Sequence, residues 1–439
     1  MGKFILTMWV MALAVVARGQ DTTRLSMLFL GDVMQHDSQI ADAYDRNTGS
    51  YDYHPCFKLI KPYIEPVDLA IGNLEVTLAG KPYKGYPQFS APDELLTALK
   101  GLGMDVLVTA NNHCVDRGSA GVIRTINMLD SVGILHTGTF KSQAEKEKSY
   151  PLIIERQGFR LALLNYTYGT NGLPVKPPVV VNMLDTAAIR RDLIKAKAQS
   201  PDAIIVFTHW GIEYESLPSK AQKDIAALCF REGARLVIGS HPHVLQPMEW
   251  RRQDNQLVAY SLGNFVSGQR KRYTDGGAMV RIELEKVRFD DGSSYTSIDT
   301  ANYILEWVYR TADAEKNYYV LPVPETSGHI YSYIKDGDSR EAFRTFVSDS
   351  RELFGKHNVG LTESTSPAEY NIQFIATDTL AIRKYLERHS GLHDIDDKQF
   401  PTLKLGPTTL PDAIHLQYRV KFDLPVDSVR ISQDSVRVR

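Results

Sequence analysis

Strand-length apolar runs that halt on polar residues, with helical segments between them, constrain this chain more than any other feature. RLSMLFLGDVM halts at Gly31-Asp32, VDLAIGNLEV at Gly72-Asn73, and GMDVLVTANNH at Asn111-Asn112-His113. The pattern returns in RLALLNYTYG, in DAIIVFTHWG, which halts at His209, and in LVIGSHPH, which halts at His241 and His243. Continuous apolar runs mark strands buried on both faces. Between them lie APDELLTALKGLG, GVIRTINMLDSVG and QKDIAALCFREG, with helical spacing and a glycine stop. Alternation of this kind predicts a layered α/β domain. In such sheets ligands gather at the C-terminal strand ends. The polar residues fall at those ends.

The chain has 439 residues, 43% hydrophobic and 23% charged, which is ample for a large core. A net charge of -2 gives no basic excess for nucleic acid and no acidic excess for disorder. The start, MGKFILTMWVMALAVVARGQ, has Lys3, an apolar run from Phe4 to Ala17, and then small residues. That is the pattern of a signal peptide over residues 1–19, cleaved after Gly19. The run is shorter than the ~20 residues a spanning helix needs, and no later segment is long and apolar enough. The expectation is an exported protein, periplasmic or extracellular, with no transmembrane segment after cleavage. Cys56, Cys114 and Cys229 are scattered and form no disulfide framework. Cys114, although beside His113, reads as a buried small hydrophobe. Beyond about residue 310 the chain turns polar and proline-bearing. A helical SREAFRTFVSDSRELFGKH, a strand-like EYNIQFIAT, a helical DTLAIRKYLERHS and an alternating tail follow. Residues 311–439 are therefore expected to form a small α+β C-terminal extension.

A lone histidine at a strand end is usually structural. Asp32, Asn73, Glu75, Asn112, His113, His209, His241 and His243 together are different. They supply the carboxylate, amide and imidazole donors that a borderline divalent metal takes. Residues two apart on an extended backbone share a side, so His241 and His243 are expected to face one cluster, with Pro242 stiffening the link. Arg270, Lys271 and Arg272 form either a basic lip for an anionic substrate or a solvated loop. Lys84 and Tyr86 sit on a Gly/Pro-rich loop that either closes over the site or is a surface turn. Glu213 and Tyr214 are close enough to His209 to support it. Trp210 is a pocket wall or core. Asp116 either orients His113 or caps the helix that starts near Ser119, and an aspartate near a helix start favours the cap.

Taken in order, GDVM, NLE, ANNH, HWG, GSHPHVLQP and YSLGNFV resemble the CapA family of poly-γ-glutamate capsule synthesis proteins. These look like relatives of calcineurin-type metallophosphoesterases. The resemblance implies a CapA-type domain over residues 24–310, folded as a four-layer αββα sandwich. It implies Asp32, Glu75, Asn112, His209, His241 and His243 as ligands of one or two divalent metal ions, with Glu75 bridging. Mn, Zn, Fe and Mg are not distinguished. His113, with Asp116, would be catalytic, protonating or orienting the leaving group. Asn73, Glu213, Asn264 and Arg270 would face substrate. A metal-bound water, its pKa lowered towards ~7, would be the nucleophile.

Two departures from the phosphoesterases stand out. Val33-Met34 follow Asp32 in place of Asp-x-His, and GNLE replaces Gly-Asp-x-x-Asp. CapA-like proteins share both, so they weigh only against classical phosphodiesterase activity and the second metal position. The expected function is an exported hydrolase in capsule polymer synthesis or processing. Its substrate would be an anionic polymer or a phosphorylated small molecule, and a capsule synthesis complex is the expected partner. The alternative is a non-catalytic accessory subunit of a cell-surface polymer synthesis or export complex.

Overall fold

The computed structural model describes residues 21–311, 318–323 and 333–364 in full, and the backbone alone of further strands between 370 and 433. The signal-like segment and the helical DTLAIRKYLERHS lie outside the described residues.

The chain opens with four parallel strands, β1 (Asp21–Val33), β2 (Leu69–Leu74), β3 (Val106–Val108) and β4 (Leu135–Thr137). Helix α1 (Glu94–Leu102) leads into β3, and α2 (Gly118–Val132) leads into β4. Each helix stops at a glycine in the left-handed region, Gly103 at φ 107° and Gly133 at φ 65°. Their N–H groups close the last turns, as glycine stops do.

A second sheet follows, built from β5 (Leu152–Arg156), β6 (Phe159–Thr167), β7 (Ala203–His209), β8 (Leu236–Ser240), β9 (Leu245–Arg251) and β10 (Gln256–Leu262). Its order is β9-β10-β8-β7-β6-β5. The inner strands are parallel and the two edges antiparallel. Crossovers run through α3 (Thr186–Lys197) and α4 (Lys220–Arg231). The chain then returns to the first sheet as β11 (Asn264–Val266), β12 (Gly276–Arg288), β13 (Ser294–Arg310) and β14 (Tyr318–Pro322). That sheet reads β14-β13-β12-β1-β2-β3-β4, with β11 paired to β1.

The two-residue period of a strand explains the layering. Leu25, Met27 and Phe29 of β1 point between the sheets, against Leu161, Leu163, Ile205, Phe207 and Ile238. Leu28 and Leu30 point the other way, with Leu95 and Leu99 of α1 in the same buried cluster. On the far side, Leu164 and Val206 pack with Ile189 and Leu193 of α3 and Phe230 of α4. The layers are helix, sheet, sheet, helix, the αββα sandwich expected. Each such side chain stabilises the fold by about 1.5–3 kcal/mol on burial.

Helix α5 (Gly337–His357), beyond residue 310, also joins the inter-sheet core through Phe343, Phe346 and Phe354. Asp336 starts it by accepting from the Ser339 N–H at 2.7 Å. Strand segments 370–375, 395–396, 402–408 and 428–433 form a sheet of their own. The three cysteines are free and buried. No helix among the described residues is long and apolar enough to cross a membrane.

One glycine positions the site. A Cβ on Gly31 would stand 2.1 Å from the Gly263 carbonyl oxygen, between β10 and β11. The same oxygen accepts from the Asp32 N–H at 3.0 Å. Gly31→Ala must push this seam apart, and urea unfolding is expected to show a loss of about 1–3 kcal/mol.

Candidate metal centre

The strand ends meet where the two sheets face each other. Asp32 is the last residue but one of β1, Asn73 sits beside it on β2, and Glu75 follows one residue past β2. His209 closes β7, and His241 follows β8. Asp32, Glu75 and His209 are 0% exposed, and His241 and His243 are 2% exposed.

The hydrogen bonds fix most of the chemistry. Asn264 donates from Nδ2 to Gln269 Oε1 at 3.0 Å and to the Thr274 carbonyl at 2.8 Å. Its Oδ1 is therefore turned to His243 Nδ1, at 3.1 Å. Asp32 Oδ2 is a second acceptor 3.1 Å from that nitrogen. With two acceptors before it, Nδ1 carries the ring proton. In the neutral ring His243 Nε2 then keeps its lone pair, 3.8 Å from Glu75 Oε1. His209 Nδ1 meets Ser240 Oγ at 2.9 Å, and its Nε2 faces Asn112 Oδ1 at 2.8 Å and Glu75 Oε1 at 3.5 Å. Asp32 Oδ1 accepts from Asn73 Nδ2 at 2.8 Å.

Against this network, some buried atoms have no protein partner. Neither oxygen of Glu75 is hydrogen-bonded, nor is Nδ1 of His241. Leaving one buried polar group unsatisfied costs about 1–3 kcal/mol, more for a charged one. Two sets of ligand atoms lie within 4.8 Å of one another, Glu75 with His241 and His243, and Asp32 with Glu75 and His209. Glu75 belongs to both. A divalent cation would satisfy its orphaned oxygens and the free imidazole nitrogens together, so the donor set fits such an ion.

The electrostatics agree with that fit. Burial, then the charge of Asp32, raises the Glu75 carboxyl well above the usual range. Burial would raise Asp32 also, but the hydrogen bond and charge of His243 and the Asn73 amide outweigh it and leave it lowered. Burial, followed by His241 and His243, holds His209 well below its ordinary pKa. Burial and His243 push His241 down to about 3. Neutral imidazoles have lone pairs to give a metal.

His113 stands beside this cluster. Its Nδ1 lies 2.8 Å from Asp116 Oδ2, which also accepts from the Phe89 N–H at 2.8 Å. The expectation that Asp116 caps the next helix is corrected, because α2 is preceded by Arg117 with no side-chain cap. Asp116 spends one oxygen on the imidazole instead. A second correction concerns the histidine pair. His241 and His243 do face one cluster, but not on extended backbone, since their φ angles are 101° and 58°. A turn with positive φ at both residues swings the rings together, 5.9 Å apart. Such strain costs about 1–3 kcal/mol per residue and gathers at functional sites.

The other candidates are spread around this centre. Asn73 and Asn264, expected to face substrate, are fully buried with their amides on protein groups. Glu213 is exposed. Tyr214 lies near, its ring 6.4 Å from that of His243. Trp210 is core, with its indole N–H bonded to the Tyr260 carbonyl at 2.8 Å. In the basic loop, Arg270 lies over Tyr318, Lys271 over Tyr214, and Arg272 pairs with Asp349. Lys84 pairs with Asp37 at 2.7 Å.

Sequence reading missed Tyr168, whose half-exposed ring lies 4.4 Å from that of His241 and stacks on that of His209 at 6.3 Å. It also missed Asn111, which donates to the Leu74 carbonyl and accepts from the His113 N–H. His36 was missed too. It packs edge-on to Phe89, which packs edge-on to His113. Only the Asn171-Gly172 turn signal after β6 could have pointed to that rim.

A family model described as bacterial capsule synthesis protein PGA_cap matches residues 26–269. The capsule biosynthesis protein CapA of Bacillus anthracis is 29% identical over 311 residues, 67% of this chain and 72% of that protein. The PGA biosynthesis protein CapA of Bacillus subtilis (strain 168) is 29% identical over 281 residues, 60% of this chain and 68% of that one. A 5'-nucleotidase from Candida albicans SC5314 aligns with a TM-score of 0.34 and 10% identity, over 75% of this chain and 58% of that one, and so low a score carries no argument. The family match takes in more than half of the chain and every candidate ligand from Asp32 to His243, and the chain belongs to the bacterial capsule synthesis protein PGA_cap family.

Proposed function

We propose that this chain is a metal-dependent hydrolase in the synthesis or processing of a capsule polymer such as poly-γ-glutamate. The family and its named relatives support the polymer context. The orphaned Glu75 carboxylate, shared between two sets of possible ligands, carries the metal reading. The signal-like N-terminus fits work outside the cytoplasm.

In this reading Asp32, Glu75, Asn112, His209, His241 and His243 hold one or two divalent ions. A bound ion supplies a Lewis acid and makes water more acidic. The chain itself does the rest. Ser240 orients His209, and Asp32 with Asn264 orients His243. Asp116 holds the His113 ring so that Nε2 points away from it and handles a proton at the reacting bond. Arg270 and Lys271 stand at an exposed loop and favour an anionic substrate.

Metal analysis of purified protein, wild type against His241→Ala, tests the reading. The wild type is expected to carry a divalent ion that the variant loses. It is also expected to show metal-dependent turnover of p-nitrophenyl phosphate, bis-p-nitrophenyl phosphate or poly-γ-glutamate. Absence of both metal and turnover in the wild type would end this reading. The second reading, an accessory subunit of a polymer synthesis or export complex, draws on the near-complete burial of the candidate ligands. Bound metal without turnover on any substrate favours it.

A further inference from the structure

An exposed residue holds together two parts of the centre. Thr170-Asn171-Gly172-Leu173 is a tight turn closed by the Leu173 N–H on the Thr170 carbonyl at 2.8 Å. Asn171 and Gly172 have φ of 50° and 75°. A turn with positive φ at both central residues selects Asn-Gly. Asn171 is an exposed residue, and its side-chain amide reaches Asn112 and His113. Asn171 Oδ1 accepts from Asn112 Nδ2 at 3.2 Å. Its Nδ2 lies 3.5 Å from His113 Nε2.

Both contacts remove a choice. An amide can present either its oxygen or its nitrogen. With Nδ2 of Asn112 turned to Asn171, Oδ1 is the atom that faces His209 Nε2, at 2.8 Å. His113 has the matching constraint. Nδ1 is the donor to Asp116, so in the neutral ring Nε2 is the acceptor and meets an N–H of Asn171.

We infer that Asn171 is a positioning residue, fixing Asn112 with its oxygen towards the metal ligands and His113 with its Nε2 lone pair towards the incoming group. The inference rests on the metal-centre reading above. The resting ring then receives a hydrogen bond. The substrate atom that displaces Asn171 carries an N–H or O–H, as an amide of a γ-linked peptide polymer does.

Calorimetric titration of the purified full chain with Mn²⁺ tests this without any assay of turnover. Asn171→Ala loses both contacts, and its affinity is expected to fall about tenfold, the low end for removing a group that orients a ligand. Asn171→Asp keeps an acceptor for Asn112, and its affinity is expected to stay within about threefold of the wild type or to tighten. Wild-type affinity in Asn171→Ala overturns the inference, and so does equal weakness in both variants. Alanine is strained at φ 50°, so the control for the fold is metal-free Asn171→Gly, which loses the same two contacts without that strain and should melt close to the wild type; a clear drop in its Tm would mark a fold role and overturn the inference also. A wild type that binds no Mn²⁺ sinks the metal-centre reading, and this inference with it.

Discussion

Glu75→Gln is expected to weaken Mn²⁺ binding by at least about 100-fold, since removing a ligand costs more than disturbing the groups that orient one. Neither Glu75 oxygen has a hydrogen-bond partner, so the metal-free fold should tolerate the change. Glutamine is nearly the same shape and adds a donor where His209 and His243 present nitrogens. The pH dependence has a definite sign. Burial and Asp32 raise the Glu75 carboxyl well above its ordinary range, so without metal it tends to hold a proton. Metal requires the carboxylate, so binding releases that proton and affinity rises as pH climbs through the raised pKa. Titrations in two buffers of different ionisation enthalpy read the proton release directly. Unchanged affinity in Glu75→Gln would remove the carboxylate from the centre.

His113→Ala should cut turnover by about 10²- to 10⁴-fold, the usual worth of a positioned proton-transfer group. Bound metal should be unchanged, because His113 is outside both sets of ligand atoms within 4.8 Å. The contrast with His241→Ala is the useful one. That variant should lose metal and turnover together, whereas His113→Ala should lose turnover alone. Turnover that survives in metal-loaded His113→Ala would leave the His113–Asp116 pair with a structural task. Asp116 does have one to fall back on, since it holds the Phe89 N–H.

Much of the fold was legible because strand and helix signals are local. Apolar runs in both registers of β1 announced a strand covered on both faces, and Gly103 and Gly133 announced helix stops. Cys114 was legible as a buried hydrophobe for the same reason, and it packs with Ala110, Val115 and Val122. Helix α5 was legible as a helix. Its packing was not, because nothing local says that Phe346 and Phe354 enter the core between the sheets. The histidine pair was read correctly as convergent for an incorrect local reason. Period-two geometry belongs to extended chain, and positive φ at a non-glycine residue has no reliable sequence signal.

The sequence pattern alone determined a layered α/β domain, the order of the strand ends and the residue types each end delivers, while the four αββα layers were read through the family resemblance. The pattern depends on side-chain size and polarity over a few neighbours. The tertiary structure decided which atoms face which. His243 Nδ1 meets Asp32 Oδ2 across 211 residues, and His209 Nε2 meets Asn112 Oδ1 across 97. Tautomers, amide orientations and the isolation of Glu75 follow from such contacts. They exist only once two sheets pack face to face and exclude water from the seam between them.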